Sequence, residues 1–137
     1  MKKRTCIMAI DDEEEILRLL KNILEEEGYD FAGATSGDSA FSLMHECRPD
    51  LIILDIMMPG LDGFQVLDLI RRKSQVPVIM LTGRGEMAAL RESVEIGADD
   101  FIRKPFYPLE LVARVRAKLR RVAQLNSQSR DVYDEMN

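Results

Sequence analysis

The chain has 137 residues, 46% of them hydrophobic, the size of one globular domain with enough apolar side chain to bury a core. Nineteen Lys and Arg against 24 Asp and Glu leave a net charge of -5 and a pI near 5.0, the wrong sign for gripping a nucleic-acid backbone by counterion release. Cys6 and Cys47 form no CxxC, His45 is the single histidine, and no apolar stretch approaches a membrane span or signal peptide, so a soluble, cytoplasmic chain without disulfides or zinc is expected.

Thr5 to Ile10 is a short apolar run that predicts a first strand. Behind it, Glu13 to Glu27 places Ile16, Leu17, Leu19, Leu20, Ile23 and Leu24 within an arc of about 160° at helical spacing, and Gly28 can end that helix. Tyr29 to Ala34 reads as a second strand, and Ser36-Gly37-Asp38 can cap a helix running to about Cys47. Leu51-Ile52-Ile53-Leu54 is apolar at every position, as a strand buried on both faces requires, and it delivers Asp55 to its carboxyl end. Met58-Pro59-Gly60 turns the chain and Asp62-Gly63 starts a helix to about Arg72. Val76 to Leu81 is a fourth strand, Glu86 to Ile96 a fourth helix, Ala98 to Arg103 a fifth strand, and Leu109 to Arg121 a last helix.

Five strands alternating with five helices predict an α/β, doubly wound parallel sheet with strand order 2-1-3-4-5. Residues 1–122 are expected to form that domain. From about Leu125 the chain turns polar and aperiodic through Asn126-Ser127-Gln128-Ser129, so 123–137 is expected to be a polar tail or the start of a linker.

Ligands of such folds sit outside the carboxyl ends of the strands. Strand one delivers Asp11 and Asp12 there, strand three Asp55, strand four Thr82 and strand five Lys104. Three converging carboxylates need a cation among them, and hard oxygen ligands with room for water suit Mg²⁺. A carboxylate beside that metal can act as a nucleophile toward phosphorus, with Lys104 neutralising charge and the Thr82 hydroxyl available to a phosphoryl oxygen.

Asp11-Asp12, Asp55, Thr82 and Lys104-Pro105, in that order and on those strands, closely resemble the receiver domain of bacterial two-component response regulators, a (βα)5 flavodoxin-like fold. The resemblance covers residues 4 to about 122. It implies that Asp55 is the phosphoacceptor and that Asp12, Asp55 and the backbone carbonyl of Met57 hold Mg²⁺ directly, with Asp11 reaching it through water. It further implies a phosphohistidine donor on a sensor histidine kinase, a cis Lys104-Pro105 bond, and Phe101 as the aromatic that turns inward as the Thr82 hydroxyl moves to the phosphoryl group.

Gly97 to Phe106 together with Glu110 to Arg116 resembles the OmpR/PhoB branch, whose phosphorylated receivers form homodimers through their fourth helix, fifth strand and fifth helix. The likeness implies cross-dimer pairs Asp100 with Arg114, Glu95 with Arg116, and Asp99 with Arg121. It departs at Leu90, where the branch carries a basic residue to meet the partner's Glu110; Arg91 is one step away. The basic run from Arg114 to Arg121 lacks aromatic platforms and reads as a solvated or dimer-facing helix side, so this domain is expected to bind neither nucleic acid nor membrane.

Several residues also carry plainer readings. Glu13 to Glu15 suit a helix start without any metal role, Phe101 and Cys6 suit core packing, and His45 suits an exposed helix position rather than a phosphorelay. Ile16 or Leu17 could dock a kinase helix or only fill the core. Met57 and Arg84, two residues beyond Asp55 and Thr82, are placed to shield a phosphoryl group from water. A Mg²⁺-dependent phosphohydrolase would need an Asp where Met57 stands, and a flavin phosphate would meet five acids from Asp11 to Glu15. A stand-alone receiver or a phosphorylation-independent scaffold remains as the alternative to a regulator whose transcription-controlling output domain follows the linker.

Overall fold

The computed structural model of the chain describes residues 4–83 and 97–136, with side chains through residue 125. Strands β1 (Cys6–Ile10), β2 (Asp30–Ala34), β3 (Leu51–Asp55), β4 (Val78–Thr82) and β5 (Asp100–Arg103) alternate with helices α1 (Glu14–Glu26), α2 (Gly37–Cys47) and α3 (Gly63–Arg71), and a C-terminal helix spans Pro108–Met136. The helix expected over Glu86–Ile96 lies outside the described residues.

The strands form one sheet in the order β2-β1-β3-β4-β5, every pair parallel. Helices on both faces explain why β1, β3 and β4 are buried at all five of their positions, while the edge strands β2 and β5 are not. One core layer joins Met8, Ile52 and Met80 to Val66, Leu67 and Ile70 of α3 and to α2. The other joins Ile7, Ile53 and Leu81 to Leu20 and Leu24 of α1 and to Leu111 and Val115 of the C-terminal helix.

Local chemistry sets the helix ends. Ser36 Oγ accepts from Ser39 N at α2, and Asp62 and Gln65 form a reciprocal capping box at α3, each bond 2.9 Å. Gly63, the first residue of α3, lies against the phosphoacceptor candidate's strand: a Cβ there would stand 2.3 Å from the carbonyl oxygen of Asp55. Gly63→Ala is therefore expected to destabilise the fold by about 3 kcal/mol, a fall in Tm of roughly 10 °C in a thermal melt.

The C-terminal helix departs from expectation. It opens at Pro108, whose fixed φ suits a first helical position, and its backbone stays helical to Met136, beyond the point where polar composition suggested a linker. Residues 109–136 contain no Gly or Pro to break it, and Gln, Arg and Glu are adequate helix formers.

Candidate functional site

The carboxyl ends of β1, β3, β4 and β5 bring Asp11, Asp12, Asp55, Thr82 and Lys104 to one side of the sheet. β3 extends one residue further than its apolar run and includes Asp55, which pairs in register with Leu81, so Thr82 follows on the adjacent strand. Thr82 in turn accepts from Lys104 N at 2.7 Å through its carbonyl, tying the end of β4 to the loop after β5. The Lys104-Pro105 bond is cis.

Lys104 Nζ lies 2.9 Å from Asp11 Oδ2, 3.2 Å from Asp55 Oδ1 and 3.8 Å from Glu13 Oε1. Asp11 is fully buried and Asp55 nearly so, whereas Asp12 is exposed. Asp11 Oδ1 accepts from Glu13 N at 2.9 Å, but Oδ2, although close to the ammonium, is buried without an aligned hydrogen bond. One ligand oxygen from each of Asp11, Asp12 and Asp55 lies within 4.8 Å of the others. The all-oxygen donor set, with Asp11 and Asp55 buried, fits a hard divalent cation.

Electrostatics at this site are opposed. Burial, aided by the negative charges of Asp11 and Asp12, pushes the Asp55 carboxyl from 3.8 up to about 7 against the lowering influence of Lys104. Burial disfavours the Lys104 ammonium, yet the closeness of Asp11 and the charge of Asp55 outweigh that and raise its pKa above the ordinary value. The lysine therefore stays charged beside a carboxyl that the fold alone does not keep fully ionised.

Other predicted residues fall where their alternatives can be weighed. Met57 is 64% exposed beside Asp55. Phe101 is half-buried and packs against the core layer under α2 and α3. Ile16 and Leu17 are half-buried against the other layer, and it is Leu19 that stands exposed on α1. Cys6 is buried and His45 is exposed.

Asp99, Asp100, Glu110, Arg114 and Arg116, expected to pair across a dimer, are engaged within the chain. Arg114 Nη1 grips both Asp100 oxygens, at 2.9 and 3.0 Å, and its Nε reaches Glu110 at 3.3 Å. Arg116 pairs with Glu27, the residue just after α1, and Asp99 pairs with Arg71 of α3 at 2.8 Å. Arg121 is exposed; Arg84, Leu90, Arg91 and Glu95 lie outside the described residues. Glu13 is the site neighbour that sequence reasoning missed, and Arg71 is the partner of Asp99 that it missed. A lone Arg at a helix end and an acid in an acidic run carry no signal of their partners.

A five-stranded parallel sheet of this order, with an acid cluster and a lysine at the carboxyl ends of its central strands, defines a doubly wound α/β protein with a charged site at its topological switch point. Residues 7–116 match the model of the response regulator receiver domain, and the chain belongs to that family. It is 49% identical over 120 residues to the transcriptional regulatory protein ResD of Bacillus subtilis, an alignment covering 88% of this chain and 50% of ResD. It is 44% identical over 118 residues to the DNA-binding response regulator MtrA of Mycobacterium leprae, covering 86% and 52%. The chain thus spans about half the length of the curated relatives it matches. Among solved structures, the receiver domain of NtrX from Brucella abortus superposes with a TM-score of 0.79 at 35% identity, covering 83% of this chain and 98% of that one.

Proposed function

We propose that this chain is a phosphorylation-controlled switch in a two-component system, taking a phosphoryl group onto Asp55 from a phosphohistidine of a sensor histidine kinase in the cytoplasm. The observation that carries the reading is the buried Asp55 carboxylate with the Lys104 ammonium 3.2 Å from its Oδ1, inside a cluster of three acids. In the step, an Asp55 oxygen attacks phosphorus; the O–P bond forms as the P–N bond breaks, and the departing imidazole nitrogen takes up a proton. Asp12, Asp55 and the Met57 carbonyl, with Asp11 through water, would hold Mg²⁺, which would supply charge neutralisation at the transferring oxygens. Lys104 stabilises the charge that develops there, and the Thr82 hydroxyl donates to a phosphoryl oxygen of the product, with Phe101 following inward. The reaction modifies the chain itself, so its role is signalling rather than turnover.

The response is a homodimer through the β5 and C-terminal-helix surface bearing Asp100, Glu110 and Arg114, as in the OmpR/PhoB branch. Because Arg114 already holds Asp100 within the chain, dimerisation on this surface needs those pairs shared or exchanged, a small term for each exposed pair. ResD and MtrA are described as transcriptional and DNA-binding regulators, which supports reading this chain as the receiver half of such a regulator.

The test is intact mass and light-scattering mass before and after acetyl phosphate with Mg²⁺, with Asp55→Ala as control. One phosphoryl group gained, absent from the variant and blocked by EDTA, with a shift toward dimer, is the expected result. No gain from any donor would overturn the reading and bring the scaffold alternative forward.

A further inference from the structure

β5 is an edge strand of four residues, paired on one side only, to β4. Such a strand has few ladder bonds to fix it, yet it carries Phe101 and Asp100 and leads directly to Lys104. Its far end is held by Lys104 N on the Thr82 carbonyl. Its near end is held by a side chain from another element.

Arg71, the last residue of α3, uses three nitrogens of its guanidinium on four acceptors. Nε donates to the Gly97 carbonyl at 2.9 Å, Nη1 to the Val76 and Ser74 carbonyls at 2.7 and 3.3 Å, and Nη2 to Asp99 Oδ2 at 2.8 Å. Asp99 Oδ2 also accepts from Val78 N at 2.8 Å, so one carboxylate oxygen joins the first residue of β4 to the entry into β5. The Arg71 side chain is only 14% exposed. Gly97 has φ +118°, and a Cβ there would stand 3.1 Å from Arg71 Nε, so the turn and the guanidinium are fitted to each other. A planar fork with five N–H groups can serve this many directions at once, which a lysine cannot.

From this geometry we infer that Arg71 is a positioning residue for the switch strand: it clamps the start of β5 so that Asp100, and through it Arg114, present the response surface in one arrangement. Asp99 belongs to this clamp through Oδ2. The inference rests on the phosphorylation-driven dimer proposed above and adds to it a residue whose hydrogen bonds all lie away from the phosphoryl site.

The experiment compares wild type, Arg71→Gln and a stability control, Leu24→Ala, which opens a cavity under α1 on the opposite face of the sheet. Phosphoryl uptake from acetyl phosphate is followed by intact mass, and the dimer dissociation constant of the phosphorylated protein by sedimentation. Arg71→Gln is expected to take up phosphoryl within about twofold of wild type, to loosen the dimer at least tenfold, and to lose amide-exchange protection at Val78 and Asp99. Leu24→Ala is expected to melt earlier but to keep the wild-type dimer constant. An unchanged dimer in Arg71→Gln, or an equal loosening in Leu24→Ala, overturns the inference. Failure of wild type to phosphorylate or dimerise is a failure of the proposed function instead, read in the same experiment.

Discussion

Lys104→Ala is expected to slow phosphoryl uptake from acetyl phosphate with saturating Mg²⁺ by about a thousandfold, the order found when one preorganised charge or donor is removed from a developing anion. Two effects act in the same direction. The ammonium stands 3.2 Å from Asp55 Oδ1 with its side chain 17% exposed, so its charge acts across little water. It is also the influence that holds the Asp55 carboxyl down against burial and the Asp11 charge, so without it a larger share of Asp55 is protonated and unable to attack. The variant is expected to fold, because Asp55 can take up a proton, or the acid cluster a cation, in place of the lost partner. Uptake within tenfold of wild type, in a variant with an unchanged circular dichroism spectrum, would remove Lys104 from the chemistry.

The residues on which that expectation rests were readable from the chain because strand ends are readable. An unbroken apolar run such as Leu51 to Leu54 has to be a strand buried on both faces, and the first polar residue after it has to emerge at the carboxyl edge. The same logic placed Thr82, whereas Lys104 follows a short, partly buried strand that already ends in the polar Arg103; a capping box at Asp62 and Gln65 is a four-residue pattern that needs no tertiary context. Charge partners were not readable in this way. Arg114 lies four residues from Glu110 and fourteen from Asp100, and whether its fork meets those acids in the same chain or in a second copy depends on where β5 lies against the C-terminal helix. Arg71 and Asp99 are 28 positions apart and meet only after the sheet has closed. The length of the last helix was missed for a different reason: polar, aperiodic sequence lacks a core-facing stripe, but without Gly or Pro nothing in it stops a helix already started.

In the metal-free protein, Asp55→Asn is expected to stabilise the fold at pH 8 and to flatten its pH dependence. The sign follows from proton linkage. A folded-state pKa near 7 against 3.8 for the free carboxyl means that between about pH 4 and pH 7 the folded chain binds a proton that the unfolded chain does not. Stability therefore rises as pH falls through that window and is lost as pH rises through 7, where a buried anion faces the charge of Asp11. The full shift corresponds to about 4 kcal/mol; relaxation and solvent screening around the site reduce the expected gain from Asp55→Asn at pH 8 to about 2 kcal/mol, some 6 °C in Tm. Lys104 keeps Asp11 at 2.9 Å in the variant, so the substitution removes a repulsion without stranding the ammonium. Mg²⁺ should reverse the order. A cation among Asp11, Asp12 and Asp55 stabilises the ionised wild-type site by mass action, whereas the amide is a weaker ligand, so at pH 8 millimolar Mg²⁺ should raise the wild-type Tm several degrees more than that of the variant. Melts at pH 5.5 and pH 8, each with Mg²⁺ and with EDTA, check both statements: parallel pH curves for the two proteins in EDTA would show that Asp55 is not the group strained by burial, and equal Mg²⁺ shifts would show that it is not a ligand. The strain and the site are then one fact, because the burial and the neighbouring acids that raise the Asp55 carboxyl without metal also form the enclosed set of oxygens that gives a divalent cation its place.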